Sequence, residues 1–254
     1  MQVPPGQYLL EWEQRHVDEV VADLFGFHAL QLGLPELDAL RANRMPHRWT
    51  GTECPPARGE GEAPRRVHLH CHFDALPFDT GSLDLVVLPH ALERARDPHL
   101  ALREVERVLV PEGRVVIIGF NPASLWGLRQ GLGRWRRRLG WRRQRELFLP
   151  SAGEPIAYRR LRDWLRLLSF EVEAGRFGCF LPPVASSRWL ARLGWMDAVG
   201  ERWWPVFGAA YYLVAVKRVR GMRLVGLLRD QRRLPAPNAA AAVHHNRGCE
   251  RISE

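Results

Sequence analysis

His90 follows a nearly continuous run of hydrophobes, Leu83-Asp-Leu-Val-Val-Leu88. An imidazole titrates near neutrality, so at the end of a buried strand it can take a proton from a hydroxyl or amine. The bland alternative is a histidine at a helix start that packs or meets solvent. His68, His70 and His72 alternate, which places three imidazoles on one face of a strand. A single strand rarely arranges three ligands tetrahedrally, and no carboxylate or thiol stands at matching spacing, so no metal is expected. The cysteines, Cys54, Cys71, Cys179 and Cys249, lie far apart without a CxxC pair. A disulfide framework or zinc ribbon is therefore not expected.

Arginine is the other chemical resource. The chain of 254 residues has a formal charge of +9, and every basic residue except Lys217 is an arginine. The excess is local. Residues 129–145 hold eight arginines and no acid, whereas residues 1–128 hold twelve arginines and eighteen acids. Leu125, Leu128, Leu132, Trp135 and Leu139 recur every three or four residues through the arginine block, with Trp126 and Trp141 added. Three readings stay open. Residues 125–145 could lie on an anionic membrane surface, with Trp and Leu inserted and Arg at the headgroups. They could bind RNA phosphates with aromatic stacking. Or the leucines pack on the core and the arginines are solvated.

These residues need elements to position them. Residues 7–25 carry Leu10, Val17, Val20, Val21 and Leu24 on one helical stripe. The apolar run His28–Leu34, ended by Pro35, reads as a buried strand, and Val67–Phe73 alternates like another. Residues 51–66 are rich in Gly, Pro and charge and read as a surface loop. Asp97-Pro98 supplies an N-cap and a first-turn proline for a helix bearing Leu100, Ala101, Val105, Val108 and Leu109. Arg114–Phe120 is then a second buried strand. Strand, helix and strand in this span make a right-handed βαβ unit, hence an α/β protein with a parallel sheet. A helix over Arg159–Leu168 and strands at Phe170–Ala174 and Tyr211–Lys217 follow. Insertions are expected at about 122–150 and 178–209, the second rich in Trp.

The ordered run Asp74-Ala-Leu-Pro77-Phe78, Asp79-Thr-Gly-Ser-Leu-Asp84, His90-Ala-Leu-Glu93, Asp97-Pro98, Leu102-Arg-Glu104, Arg107-Val-Leu and Pro111-Glu-Gly113 resembles the type 11 branch of the class I S-adenosylmethionine-dependent methyltransferases. The resemblance covers about a fifth of the chain. It implies a Rossmann-like, mostly parallel seven-stranded sheet with helices on both faces. It also implies that S-adenosyl-L-methionine binds across the carboxyl ends of the strands. In such a site Asp74 accepts from the adenine amine, and Ala75 and Leu76 supply neighbouring backbone. Leu88 and Pro89 line the cofactor at the end of the fourth strand, and His90 stands beside the position of methyl transfer. The glycine motif departs from the family. The aligned segment is Gln31-Leu-Gly33-Leu-Pro35-Glu-Leu37, so Gly33 is kept, Pro35 and Leu37 replace glycines, and Gln31 replaces the usual acid. Glu53 is the nearest residue to the ribose-binding acid.

Taken with the resemblance, the expectation is a methyltransferase-like domain over residues 1–218 and a basic, disordered tail over 219–254. The activity implied is methyl transfer to a small-molecule acceptor, hydrophobic or interfacial in character. The alternative is a catalytically silent protein of the same fold, acting as an adaptor on RNA or a membrane surface. No secretory signal or membrane-spanning run is seen, so the expected compartment is the cytoplasm, with peripheral membrane contact left open. No stable protein partner is evident.

Overall fold

The computed structural model describes residues 4–53, 67–129, 131, 153–182, 192 and 195–219. Its organising element is the apolar run, which forms strand β4 (Leu83–Pro89) and is buried almost throughout. β4 pairs in parallel with β1 (His28–Leu32) on one side and β5 (Leu109–Phe120) on the other. Beyond β1 lie β2 (His47–Thr52) and the two-residue β3 (Leu69–His70), both parallel. Beyond β5 lie β7 (Ala210–Lys217) and the edge strand β6 (Phe170–Gly178), with β7 antiparallel to both neighbours. Among the described residues this is one seven-stranded sheet, ordered β3-β2-β1-β4-β5-β7-β6. Strand order reverses between β1 and β4, the crevice where open α/β sheets place their ligands.

Alternation along the strands divides the core into two layers. Leu30, Leu32, Val86, Leu88, Val115, Ile117 and Leu213 face α3 (Pro98–Val108) and α4 (Tyr158–Leu167), which bury Leu102, Val105, Leu161 and Leu165 against them. Ala29, Leu85, Val87, Val116, Ile118 and Val214 face the other way, toward Val17 and Val21 of α1 (Pro4–Ala22). Helices thus cover both faces. α3 starts where expected: the Asp97 carboxylate accepts from the backbone N–H of His99 (2.8 Å) and Leu100 (3.2 Å). Such a cap contributes about 1 kcal/mol.

Local differences from the sequence reading are instructive. β2, His-Arg-Trp-Thr-Gly-Thr, is not announced by hydrophobicity because it lies near the sheet margin, with only its last two residues buried. Conversely, the alternating stretch 67–73 contributes only Leu69–His70 to the sheet. The crossover from β1 to β2 is built of turns rather than a helix, and Leu34, Leu37, Leu40 and Met45 fill the layer that a helix would cover. Leu125 and Leu128 are exposed, while Trp126 is buried and donates from Nε1 to Leu181 O at 2.7 Å. The core-packing reading therefore fails for these two leucines. In the second insertion, α5 (Trp195–Trp203) and a 3-10 turn (Pro205–Phe207) precede β7. Most of the arginine block lies outside the described residues. The chain divides into units Met1–Val219 and Arg220–Glu254, and the expected tail, in the second, is likewise outside them.

Candidate cofactor site

The end of β1 is held by a side chain that uses its own amide. Gln31 is buried, and its Nε2 donates to Leu34 O (3.0 Å) and Leu37 O (2.6 Å). Its Oε1 accepts from the Ala39 backbone N–H at 2.9 Å. Two inward-facing carbonyls require a donor, which a carboxylate cannot be. That is why an amide stands where the family pattern has an acid. Gly33 follows with φ +118°, and a Cβ there would lie 2.5 Å from Pro89 O and 3.1 Å from the Ala91 Cβ. Only glycine lets this loop press against the end of β4. The contact is sealed by Leu34 N–H donating to Pro89 O at 3.2 Å. Leu37 is buried in the α1-side layer.

Carboxylates stand at the next two strand ends. Glu53 directly follows β2 and accepts from Phe73 N–H through Oε1 at 3.0 Å. Asp74 and Ala75 are exposed in the loop after β3, and Leu76 is buried beneath them. Ala75 N–H donates to His72 O (3.1 Å), and Leu76 N–H to Glu104 Oε1 (3.2 Å). Arg107 pairs with Glu104 and donates to Leu76 O (3.2 Å) and Phe78 O (2.9 Å), pinning the loop from α3. Of the alternating histidines, His68 Nδ1 accepts from Thr50 N–H at 3.0 Å. Among the described residues, no group of three or more His, Cys, Asp or Glu is placed to hold a metal ion.

Past Leu88 and Pro89, both buried, the chain turns sharply. His90 takes a left-handed conformation (φ 52°) just before α2 (Ala91–Arg94). Its ring stacks on Phe120, with centroids 4.1 Å apart. Both ring nitrogens meet carboxylates: Nε2 is 2.7 Å from Glu13 Oε1 of α1, and Nδ1 is 3.0 Å from Glu93 Oε2. Glu93 also accepts from Phe120 N–H. Burial alone would lower the His90 pKa, but the two carboxylates outweigh it and push the imidazole up to about 10. Glu13 is only 1% exposed, and its Oε2 has no hydrogen-bond partner. Nearby, Tyr8 donates to Asp197, while burial holds the Cys179 thiol well above its usual range. Glu13 was not singled out in the sequence, although a signal existed. Leu9, Glu13, Val17 and Val21 recur every four residues and are all buried, so this acid sits on the apolar stripe of α1.

Comparison with known proteins joins this geometry to a family. A methyltransferase domain model matches residues 50–117. The matched stretch covers β2 to β5 and so includes Glu53, Asp74 and His90. Over this stretch the chain resembles the type 11 S-adenosylmethionine-dependent methyltransferases. It is 32% identical over 177 residues to the uncharacterized protein YafS of Escherichia coli, across 69% of this chain and 66% of that one. It is 43% identical over 72 residues to the malonyl-[acyl-carrier protein] O-methyltransferase of Halorhodospira halophila, 28% of this chain and 23% of that one. The matches therefore span just under two thirds of YafS and about a quarter of the second relative. In structure the chain resembles the methyltransferase solved with the Trm112 methyltransferase activator of Haloferax volcanii. The TM-score is 0.56 at 21% identity, covering 85% of this chain and 93% of that one, a likeness of fold.

The cofactor of this family is S-adenosyl-L-methionine. The groups present fit it. Glu53 and Asp74 offer acceptors at the ends of consecutive strands, and Gly33 keeps the β1 loop against β4. The orphaned Glu13 oxygen gives the same end of the sheet a buried carboxyl group that Gln31 does not.

Proposed function

We propose that the protein transfers a methyl group from S-adenosyl-L-methionine to a small-molecule acceptor. The observation that carries this reading is the succession of Gly33, Glu53 and Asp74 at the carboxyl ends of β1, β2 and β3, at one side of the switch between β1 and β4. In this reading Asp74 accepts from the adenine amine, with Ala75 and Leu76 as the adjoining backbone. Glu53 takes the ribose hydroxyls, and Leu88 and Pro89 form the wall at the end of β4. The bound cofactor supplies a methyl group on an electrophilic sulfur, so the protein's task is chiefly to position and desolvate. His90 is rigidly held. For it to serve as the base expected from the sequence, α1 must first withdraw Glu13 from Nε2. While both nitrogens stay engaged, His90 positions the β4 end and α1 instead.

The acceptor's character is suggested by a second surface. Trp195, Trp203, Trp204, Val206 and Phe207 are all more than half exposed within thirteen residues that include α5 and the 3-10 turn. This segment is tied to the end of β5, because Asn121 Nδ2 donates to Val206 O at 2.7 Å and Gly208 O at 3.0 Å. Among the described residues no helix is long and apolar enough to cross a membrane. Exposed Trp, in a chain whose sequence also carries an arginine-rich block, suits the headgroup region of an anionic bilayer. We read the acceptor as hydrophobic and met at such a surface, in preference to RNA. A silent adaptor of the same fold would use this surface without binding cofactor.

Isothermal titration with S-adenosyl-L-methionine separates enzyme from adaptor. Saturable binding, weakened about tenfold or more in Asp74→Ala by loss of a charge-assisted bond, is expected. Absence of binding at millimolar ligand would sink the enzyme reading. Unchanged binding in Asp74→Ala would displace the adenine site.

A further inference from the structure

The cluster on α1 and β4 has a charge imbalance. Glu13 and Glu93 flank one imidazole, so the buried group sets two carboxyl groups against a single basic ring. The Glu13 side chain is fully buried, His90 is 5% exposed and Glu93 is 7% exposed. Among the described residues, the titratable groups facing it add no second basic group. Cys179 and Tyr8 are held protonated by burial, and Asp197 is a further acid beside them. On the Glu93 side, burial and Glu93 raise the Tyr211 phenol, which donates to Ile156 O at 2.9 Å. A buried carboxylate oxygen without a donor is costly unless a cation or donor completes it.

The position of this cluster says which cation. His90 is the residue after β4 and directly precedes Ala91, against which Gly33 of the β1 loop rests. The cluster therefore borders the crevice between β1 and β4. In that crevice the family pattern has an acid at the position of Gln31, whose amide here is spent on its own loop. We propose that Glu13, braced by His90 and Glu93, supplies from α1 the negative charge that β1 no longer carries. The cluster thereby recognises the cationic sulfur half of S-adenosyl-L-methionine and discriminates against cofactor forms neutral at sulfur. This rests on the methyltransferase reading and adds a specificity-determining residue to it. S-adenosylhomocysteine lacks the positive sulfur, so the same cluster favours exchange of spent for fresh cofactor.

The test is calorimetric titration of the full chain with three ligands: S-adenosyl-L-methionine, S-adenosylhomocysteine, and an analogue with a protonated amine in place of the methylated sulfur. The wild-type protein should bind both cationic ligands about tenfold or more tightly than the neutral one, since a charge pair in a dry site easily supplies that ratio. Glu13→Gln keeps an oxygen to accept from His90 Nε2 but removes the charge. It should bring the ratio to within about threefold while leaving the affinity for S-adenosylhomocysteine nearly unchanged. Equal binding of all three ligands by the wild type overturns the proposal without any variant being needed. A folded Glu13→Gln that keeps the full preference overturns it too. Failure of the wild type to bind any of the three removes the methyltransferase reading along with it. Binding without discrimination removes this inference alone.

Discussion

Restoring the family's acid should damage this protein. In Gln31→Glu the side chain keeps its size, but its two donor bonds to Leu34 O and Leu37 O are lost. A carboxylate oxygen then faces two carbonyl oxygens in a buried site. Two hydrogen bonds at roughly 1 kcal/mol each, with at least about 1 kcal/mol for the unsatisfied buried groups, give about 3 kcal/mol of destabilisation. With a urea slope of roughly 2 kcal/mol per molar, the midpoint falls by about 1.5 M at unchanged slope. The deficit should shrink at low pH. A buried glutamate has a raised folded-state pKa, so protonation relieves the penalty and returns one donor to the loop. Equilibrium urea unfolding followed by tryptophan fluorescence, at neutral and acidic pH, reads both effects. A Gln31→Glu protein as stable as the parent at neutral pH would refute the assignment of Gln31 as the amide brace of the β1 loop.

Gly33→Ala should cost about 3 kcal/mol, because φ +118° is strained for an L side chain and its Cβ would lie 2.5 Å from Pro89 O; the shift in urea midpoint measures it. His90 makes stability fall in mild alkali. Its folded pKa of about 10 lies above its ordinary value of 6.5. The contribution of its pairing to Glu13 and Glu93 is therefore full below about pH 6.5, declines above that, and is lost as pH passes through about 10. His90→Gln should remove most of the fall between about pH 6.5 and the onset of thiol ionisation. Above that, Cys179 and Tyr211, held neutral by burial in the folded chain but free to ionise on unfolding, lower stability in both proteins alike. Anionic phospholipid vesicles should pellet the protein, and Arg136, Arg137 and Arg138 changed together to Glu should weaken pelleting several-fold. Equal pelleting by neutral vesicles, or none by anionic ones, contradicts the membrane reading.

The central fold was legible where burial imposes a period on the sequence. β4 and β5 announced themselves as apolar runs, and α3 by its cap, proline and repeating Val and Leu. β2 was not, because a strand near the sheet margin needs few hydrophobes. The loop to which the proposed function assigns adenine stood out in the sequence, through Asp74-Ala-Leu and the residues that follow. It was obscure at the glycine loop, where Gln31 looks like a lost acid until its three hydrogen bonds are seen. Glu13 was hidden for a different reason. Its partner His90 lies 77 residues away, and only the fold joins them, although its place between Leu9 and Val17 on a buried stripe marks it as unusual.

The most direct test of the account is calorimetric titration of the full chain with S-adenosyl-L-methionine, repeated on Asp74→Ala. The account predicts saturable one-site binding by the parent and a loss of about tenfold or more in the variant. A parent protein that shows no binding at millimolar cofactor would contradict it.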